Sequence, residues 1–152
     1  MLEPLGLDEI DSTILRILSK NSRESFAEIA RQVKLSRISV RERVLALKEK
    51  GVIEQFSLIV NAQALGYNLA VFLDIEVRPK ELRQVAEQLL KQERITIVYQ
   101  MTGTTKLHVH AYGRDAEELA EFMQKNIYSI PGVVNVNSHI LLQKFKTDLT
   151  IC

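Results

Sequence analysis

The chain has 152 residues, 46% of them hydrophobic and 26% charged, with a formal net charge of +1. That length suits one large domain or two small ones with a real core, and no apolar run approaches the roughly 20 residues of a membrane-spanning helix. The start, MLEPLGLDEIDS, lacks the basic and apolar regions of a signal peptide. The single cysteine, Cys152, excludes a disulfide framework and a cysteine zinc site, so a cytoplasmic globular protein is expected.

The near-neutral total hides a local excess. Residues 1–30 carry three basic and six acidic side chains, residues 31–50 seven basic and two acidic, and the rest is close to balance. A local cationic stripe matters more for contact with phosphates than the net charge does.

The first predicted helix spans residues 8–19, with Ile10, Ile14, Ile17 and Leu18 as its apolar stripe and acids in its first turn. Ser25 with Glu28 reads as a capping box for a second helix that buries Phe26, Ile29, Ala30 and Val33. Lys34 and Leu35 form a short turn. Ser36 is then the N-cap of a third helix running to Gly51, a residue suited to the left-handed conformation that ends helices. Val40, Val44 and Leu47 line its inner face. Three short helices with a short turn between the last two make a helix-turn-helix.

The third helix is the candidate DNA reader. Ser36, Arg37, Ile38, Ser39 and Arg41 are expected at the DNA. Arginine reaches guanine edges with two hydrogen bonds, serine and a helix N-terminus suit phosphates, and an exposed Ile38 suits a thymine methyl. Arg43 has two readings, a DNA phosphate or an acid of the first two helices.

After Gly51 the hydrophobic period changes from 3.6 to 2 and predicts a strand over Val52–Val60. The implied domains are a helix-turn-helix with a hinge strand over 1–60, a linker over 61–68, and a second domain over 69–152. In that domain the pattern predicts a strand at Leu69–Val77, a helix at Pro79–Gln92, and strands at Ile95–Met101 and Leu107–Tyr112. A helix capped by Asp115 follows, with Ala116, Leu119, Ala120, Met123 and Ile127 inward, then a long strand over Val133–Phe145. The order βαββαβ is a ferredoxin-like α+β sandwich, helices on one face of an antiparallel sheet. Simple alternation puts Ile95, Ile97 and Tyr99 on one face. The uncovered face is expected to be a subunit interface of a symmetric dimer.

The segments LDEIDSTILRIL, FAEIARQVKLS, SVRERVLALKEKGVI and IPGVVNV resemble the Lrp/AsnC (feast/famine) family of transcription regulators over about residues 7–145. The resemblance implies a winged-type helix-turn-helix, a hinge strand, a regulatory domain, and homodimers that assemble into tetramers, octamers or larger rings on double-stranded DNA. It also implies a small effector, usually an amino acid, between dimers. Many members carry Gly, acid, any, Asp in the turn between the second and third strands of the regulatory domain. Here the turn is Gly103-Thr104-Thr105-Lys106, and a lysine repels the ammonium that an Asp would hold.

Thr102, Gly103, Thr104, Thr105 and Lys106 form the candidate effector loop, its hydroxyls, amides and lysine suiting a carboxylate, with a plain hairpin turn of a glycine and polar residues as the alternative reading. His108, His110 and His139 lack a neighbouring cysteine or carboxylate along the chain, and zinc sites take three or four ligands. Interface packing is therefore expected ahead of a pH-sensitive contact or a metal. No nucleophile–base pair or phosphate loop is present, so no catalysis and no cofactor are expected. The expected function is sequence-specific transcription regulation, with architectural DNA wrapping without an effector as the alternative.

Overall fold

The computed structural model describes residues 6–146. Cys152 and the other last residues of the expected second domain lie outside them. The chain forms two compact units that meet in sequence between Ile59 and Val60.

The described part of the first unit holds three helices: α1 (Glu9–Lys20), α2 (Phe26–Val33) and α3 (Arg37–Glu49). Asp8 caps α1 in a reciprocal box with Asp11, an arrangement that satisfies two free amides at once. Ser25 and Ser36 cap α2 and α3 through their hydroxyls. Ile14, Leu18, Ile29, Ala30, Val40, Val44 and Leu47 form the shared core, which is what the helical spacing of these residues predicts. α2 ends on Lys34 in the left-handed region, at φ 56°, and the chain re-enters a helix two residues later.

The expected strand over Val52–Val60 is not formed among the described residues. The amides of Gly51 and Val52 turn back onto Lys48 O and Leu47 O, the double bond of a Schellman stop. Val52 and Ile53 then pack on the helical core instead of a sheet. Residues 54–60 are exposed and have no ladder, because no strand among the described residues lies beside them.

The second unit is a four-stranded antiparallel sheet in the order β2-β3-β1-β4. Its strands are β1 (Leu69–Val77), β2 (Ile95–Gln100), β3 (Lys106–Gly113) and β4 (Val133–Ile140). Helices α4 (Leu82–Leu89) and α5 (Ala116–Met123) connect them. A core of Val71, Leu73, Ile75, Val85, Leu89, Leu107, Val109, Leu119, Phe122 and Ile127 lies between the sheet's inner face and the helices. This is the expected ferredoxin-like sandwich.

Four local expectations change. Pro79–Glu81 forms a 3-10 turn and α4 stops at Leu89, short of Gln92. In α5, Ala116 and Ala120 face out while Phe122 is buried, because the stripe Leu119, Phe122, Met123, Ile127 sets the phase. β4 ends at Ile140 rather than Phe145 because β1 begins at Leu69, and the last ladder contact is Leu141 N–H to Ala70 O. A register shift between Ile95 and Ile97 turns Ile95 inward with Val98, leaving Ile97 and Tyr99 opposite His110 and His108. The bulge breaks the alternation that had placed Ile95 with Ile97.

Candidate functional site

The outer side of α3 starts from its cap. Ser36 Oγ accepts the Ser39 amide at 3.0 Å and lies 2.8 Å from Ser39 Oγ. Arg37 and Arg41 are exposed, and Ile38 is 68% exposed on the same outward half. Val40, Val44 and Leu47 are buried on the opposite side. An exposed isoleucine between two free-standing arginines is not explained by the helical core. Its exposure leaves it available for an apolar contact elsewhere.

Arg43 takes the second of its two readings. Its Nη1 lies 2.7 Å from Asp8 Oδ2 and 2.8 Å from Asp11 Oδ1. These two carboxylates raise the guanidinium's pKa, Asp11 through the largest hydrogen-bond effect. The Asp8 carboxyl is held below its usual range chiefly by the Asp11 amide, with Arg43 adding to it against some burial. Arg43 thus ties α3 to the start of α1, and its partners were visible in sequence only as acids in a first turn.

The expected effector loop is divided by the fold. Thr102, Thr105 and Lys106 line a cavity of about 470 Å³ together with Asp74, Glu76, Met101, Asn135 and Asn137. Gly103 and Thr104 are exposed and outside that lining. Gly103 adopts φ +99°, a turn conformation that suits glycine. The amide of Val77 donates to Thr105 O and that of Met101 to Lys106 O, which closes the β2–β3 loop and ties it to the end of β1.

Asp74 and Glu76 were not singled out in the sequence. They are the only charged positions of β1, and period-2 alternation puts them on one face. Glu76 lies directly opposite Lys106 on β3 and Asn135 on β4. Asp74 lies opposite His108 and Asn137. The cavity therefore joins two carboxylates, an ammonium, hydroxyls and amides, a set suited to a small molecule of both charges.

The three histidines share the open sheet face with Phe72. His108 Nδ1 is 2.7 Å from Asp74 Oδ1, and His139 Nε2 is 3.7 Å from Asp74 Oδ2. His108 Nε2 and His110 Nε2 are 3.0 Å apart. Burial lowers the His110 pKa, and the neighbouring His108 adds to this. Among the described residues no group of three or more His, Cys, Asp or Glu is arranged to hold a metal ion.

A second depression, of about 550 Å³, lies beside α5. There Arg94 is ion-paired with Glu118 and lies over the rings of Tyr67 and Phe122. Its guanidinium is already committed to those contacts. No helix among the described residues is long and apolar enough to cross a membrane.

Comparison with known proteins agrees with both units. Residues 7–48 match the AsnC-type helix-turn-helix domain and residues 70–151 the Lrp/AsnC ligand binding domain. The chain is 39% identical over 140 residues to the HTH-type transcriptional regulator LrpA of Pyrococcus horikoshii, covering 92% of this chain and 99% of that one. It is 38% identical over 149 residues to the regulator FL11 of Pyrococcus abyssi, covering 97% and 98%. Among solved structures, AsnC of E. coli superposes with a TM-score of 0.85 at 25% identity over 93% of this chain and 95% of that one. A transcriptional regulator of Neisseria meningitidis, solved as its L-Met complex, shares the fold with a TM-score of 0.89 at 22% identity over 96% of each chain. With an AsnC-type helix-turn-helix at one end and the ligand binding domain at the other, the chain belongs to the Lrp/AsnC family of DNA-binding transcriptional regulators.

Proposed function

We propose that this regulator reads a specific DNA sequence through Ser36, Arg37, Ile38, Ser39 and Arg41, and that an amino acid held in the Asp74–Lys106 cavity tunes it. The observation that carries the effector reading is the mixed charge of that cavity. Lys106 and the hydroxyls of Thr102 and Thr105 suit a carboxylate, while Asp74 and Glu76 on the neighbouring strand suit an ammonium. The ammonium partner missing from the Gly103–Lys106 turn is thereby supplied from β1. The L-Met complex of the Neisseria meningitidis regulator supports an amino acid as the class of ligand.

The reading includes a homodimer that assembles further. Phe56, Leu58, Ile59 and Val60 are exposed large side chains on a segment without a ladder, and a second copy of the segment satisfies both its side chains and its amides. Pairing two α3 helices in this way suits a pseudo-palindromic site. Effector binding then acts by shifting the geometry in which half-sites are engaged together.

The test is a thermal-shift screen of the purified chain against individual amino acids, followed by DNA titration with and without any hit. A ligand at 100 times its Kd stabilises by about 2.7 kcal/mol, or about 5–10 °C for a chain of this size. A hit that also changes DNA affinity or stoichiometry supports the proposal. A folded chain that answers to no amino acid, and that binds specific and random DNA alike, favours architectural wrapping instead.

A further inference from the structure

We propose that Asp74, His108 and His110 make the face-to-face association of two copies of this chain sensitive to acid, the contact holding while one proton lies between the two histidines and loosening when each carries its own. This rests on the chain being a homodimer, as proposed above, and concerns the sheet face that its own helices leave uncovered. The occupant of that face is a second copy, because the face is complementary to itself. Phe72, Ile97 and Tyr99 give it apolar and aromatic surface, with Tyr99 56% exposed. Asp74 and Glu76 on β1 stand beside Lys106 and His108 on β3. The face thus carries both signs of charge and can meet itself across a two-fold axis.

His108 is the middle of a short relay. Asp74 Oδ1 accepts from its Nδ1 at 2.7 Å, and its Nε2 is 3.0 Å from His110 Nε2. A single proton, on either ring, completes that second hydrogen bond. Asp74 balances one imidazolium. A second sets two N–H donors against each other and leaves a cation without a carboxylate. The other groups on the face do not relieve it. His139 Nε2 on β4 is 3.7 Å from Asp74 Oδ2 and draws on the same carboxylate, while Glu76 stands across the ladder from Lys106. Tyr99 and Ile97 on β2 lie opposite His108 and His110, and Asn137 and Asn135 on β4 lie opposite Asp74 and Glu76. Tyr112 is the next residue on that face of β3. A second copy brings the same set, so it adds histidines as fast as carboxylates. The His110 ring packs on Phe72, with centroids 4.4 Å apart. Burial lowers its pKa, and His108 adds to this; covering the face buries it further. A lowered pKa in the assembled state means association is fully present above the ordinary histidine value and is lost as pH falls below it.

The test is sedimentation equilibrium of the full chain, without effector, over a dilution series at about pH 7.5 and about pH 5.5, either side of the ordinary histidine pKa. Circular dichroism checks that the chain stays folded at both. Uptake of one proton per copy should raise the dimer dissociation constant about 10–100-fold over that interval. His110→Gln keeps a neutral hydrogen-bonding side chain, so it should associate like the parent at the higher pH and change less than about threefold at the lower. His139→Gln should keep the parent's response. A dimer equally tight at both pH values overturns this proposal alone, as does an undiminished acid response in His110→Gln or its loss only in His139→Gln. A chain that is monomeric at the higher pH overturns the homodimer itself, and this proposal with it. Should His110→Gln fail to fold, histidine C2–H exchange in the parent chain, read by mass spectrometry, decides. His110 should take up its proton over the pH range in which the dimer weakens, and a His110 that titrates outside that range overturns the proposal.

Discussion

Arg43 Nη1 lies 2.8 Å from Asp11 Oδ1, so a half-buried cation of α3 neutralises the only buried charged side chain of the described residues. Asp11 is also the reciprocal partner of Asp8 at the start of α1. One ion pair thus ties the start of α1 to α3. Removing the arginine leaves a buried carboxylate short of a partner, which costs more than the pair contributes. Arg43→Met is expected to lower stability by about 1–3 kcal/mol, read as a lower urea midpoint at unchanged slope. An unchanged midpoint would mean the pair is not held in solution.

The same cluster gives an acid-dependent stability with a definite sign. The Asp8 carboxyl is held below its ordinary value, first by the Asp11 amide and then by Arg43. A lowered pKa in the folded state means the carboxylate contributes stability above the ordinary range, which is lost as pH falls through the folded value. Asp8→Asn keeps a good cap without the charge. The stability gap between the parent and this variant should be present at neutral pH and close below about pH 4. A gap that stays constant down to pH 2 would assign the effect to the cap alone.

Arg41 stands clear of the helical core on the outward side of α3. If it reads a base, Arg41→Ala weakens the preferred site by about 1–3 kcal/mol and relaxes specificity at one position. Fluorescence anisotropy with specific and random duplexes separates the outcomes. An equal loss on both reassigns Arg41 to a phosphate.

Gly132 in the IPGVV turn has φ +99°, and a Cβ placed there would stand 2.8 Å from Glu81 Cβ. Its carbonyl also accepts the Arg78 amide beside the start of α4. Gly132→Ala therefore meets both an unfavourable backbone region and a neighbour, a loss of about 1–3 kcal/mol. Thermal unfolding should show it as a lower Tm with the native circular dichroism retained. A Tm equal to that of the parent would mean the turn relaxes freely.

The helix-turn-helix was legible because caps, stripes and stops are local. Ser36 to Ser39, Val40 to Leu47 and Gly51 each act within a few residues of themselves. What failed to show was set by neighbours distant in sequence. The bulge at Ile95–Ile97 is a property of its pairing with β3. The end of β4 is decided by where β1 begins. Val52–Val60 alternates like a strand, yet alternation does not supply a partner. The carboxylate beside the histidines is hidden along the chain, because Asp74 is 34 residues from His108 although it is beside it across the sheet. The cavity acids Asp74 and Glu76 were overlooked for the same reason, though their spacing in LAVFLDIEV marks them as two polar residues on one face of an apolar strand.

Lys106 is the residue on which the effector reading turns. It lines the cavity with Thr102 and Thr105 and stands across the ladder from Glu76. It does not belong to either packed core, so its side chain can be changed with little effect on folding. A ligand carboxylate bound to its ammonium loses a charge-assisted hydrogen bond in Lys106→Ala, the stronger kind. The variant should keep the parent's Tm without ligand, lose the amino-acid stabilisation, and bind DNA as the parent does. Glu76→Gln should lose the same stabilisation from the opposite end of the ligand, because it removes the ammonium partner. If Lys106→Ala still responds while Glu76→Gln does not, the ligand is a cation and the lysine is a bystander. If both variants lose DNA binding as well, the two residues act on assembly, and the cavity is not the effector site.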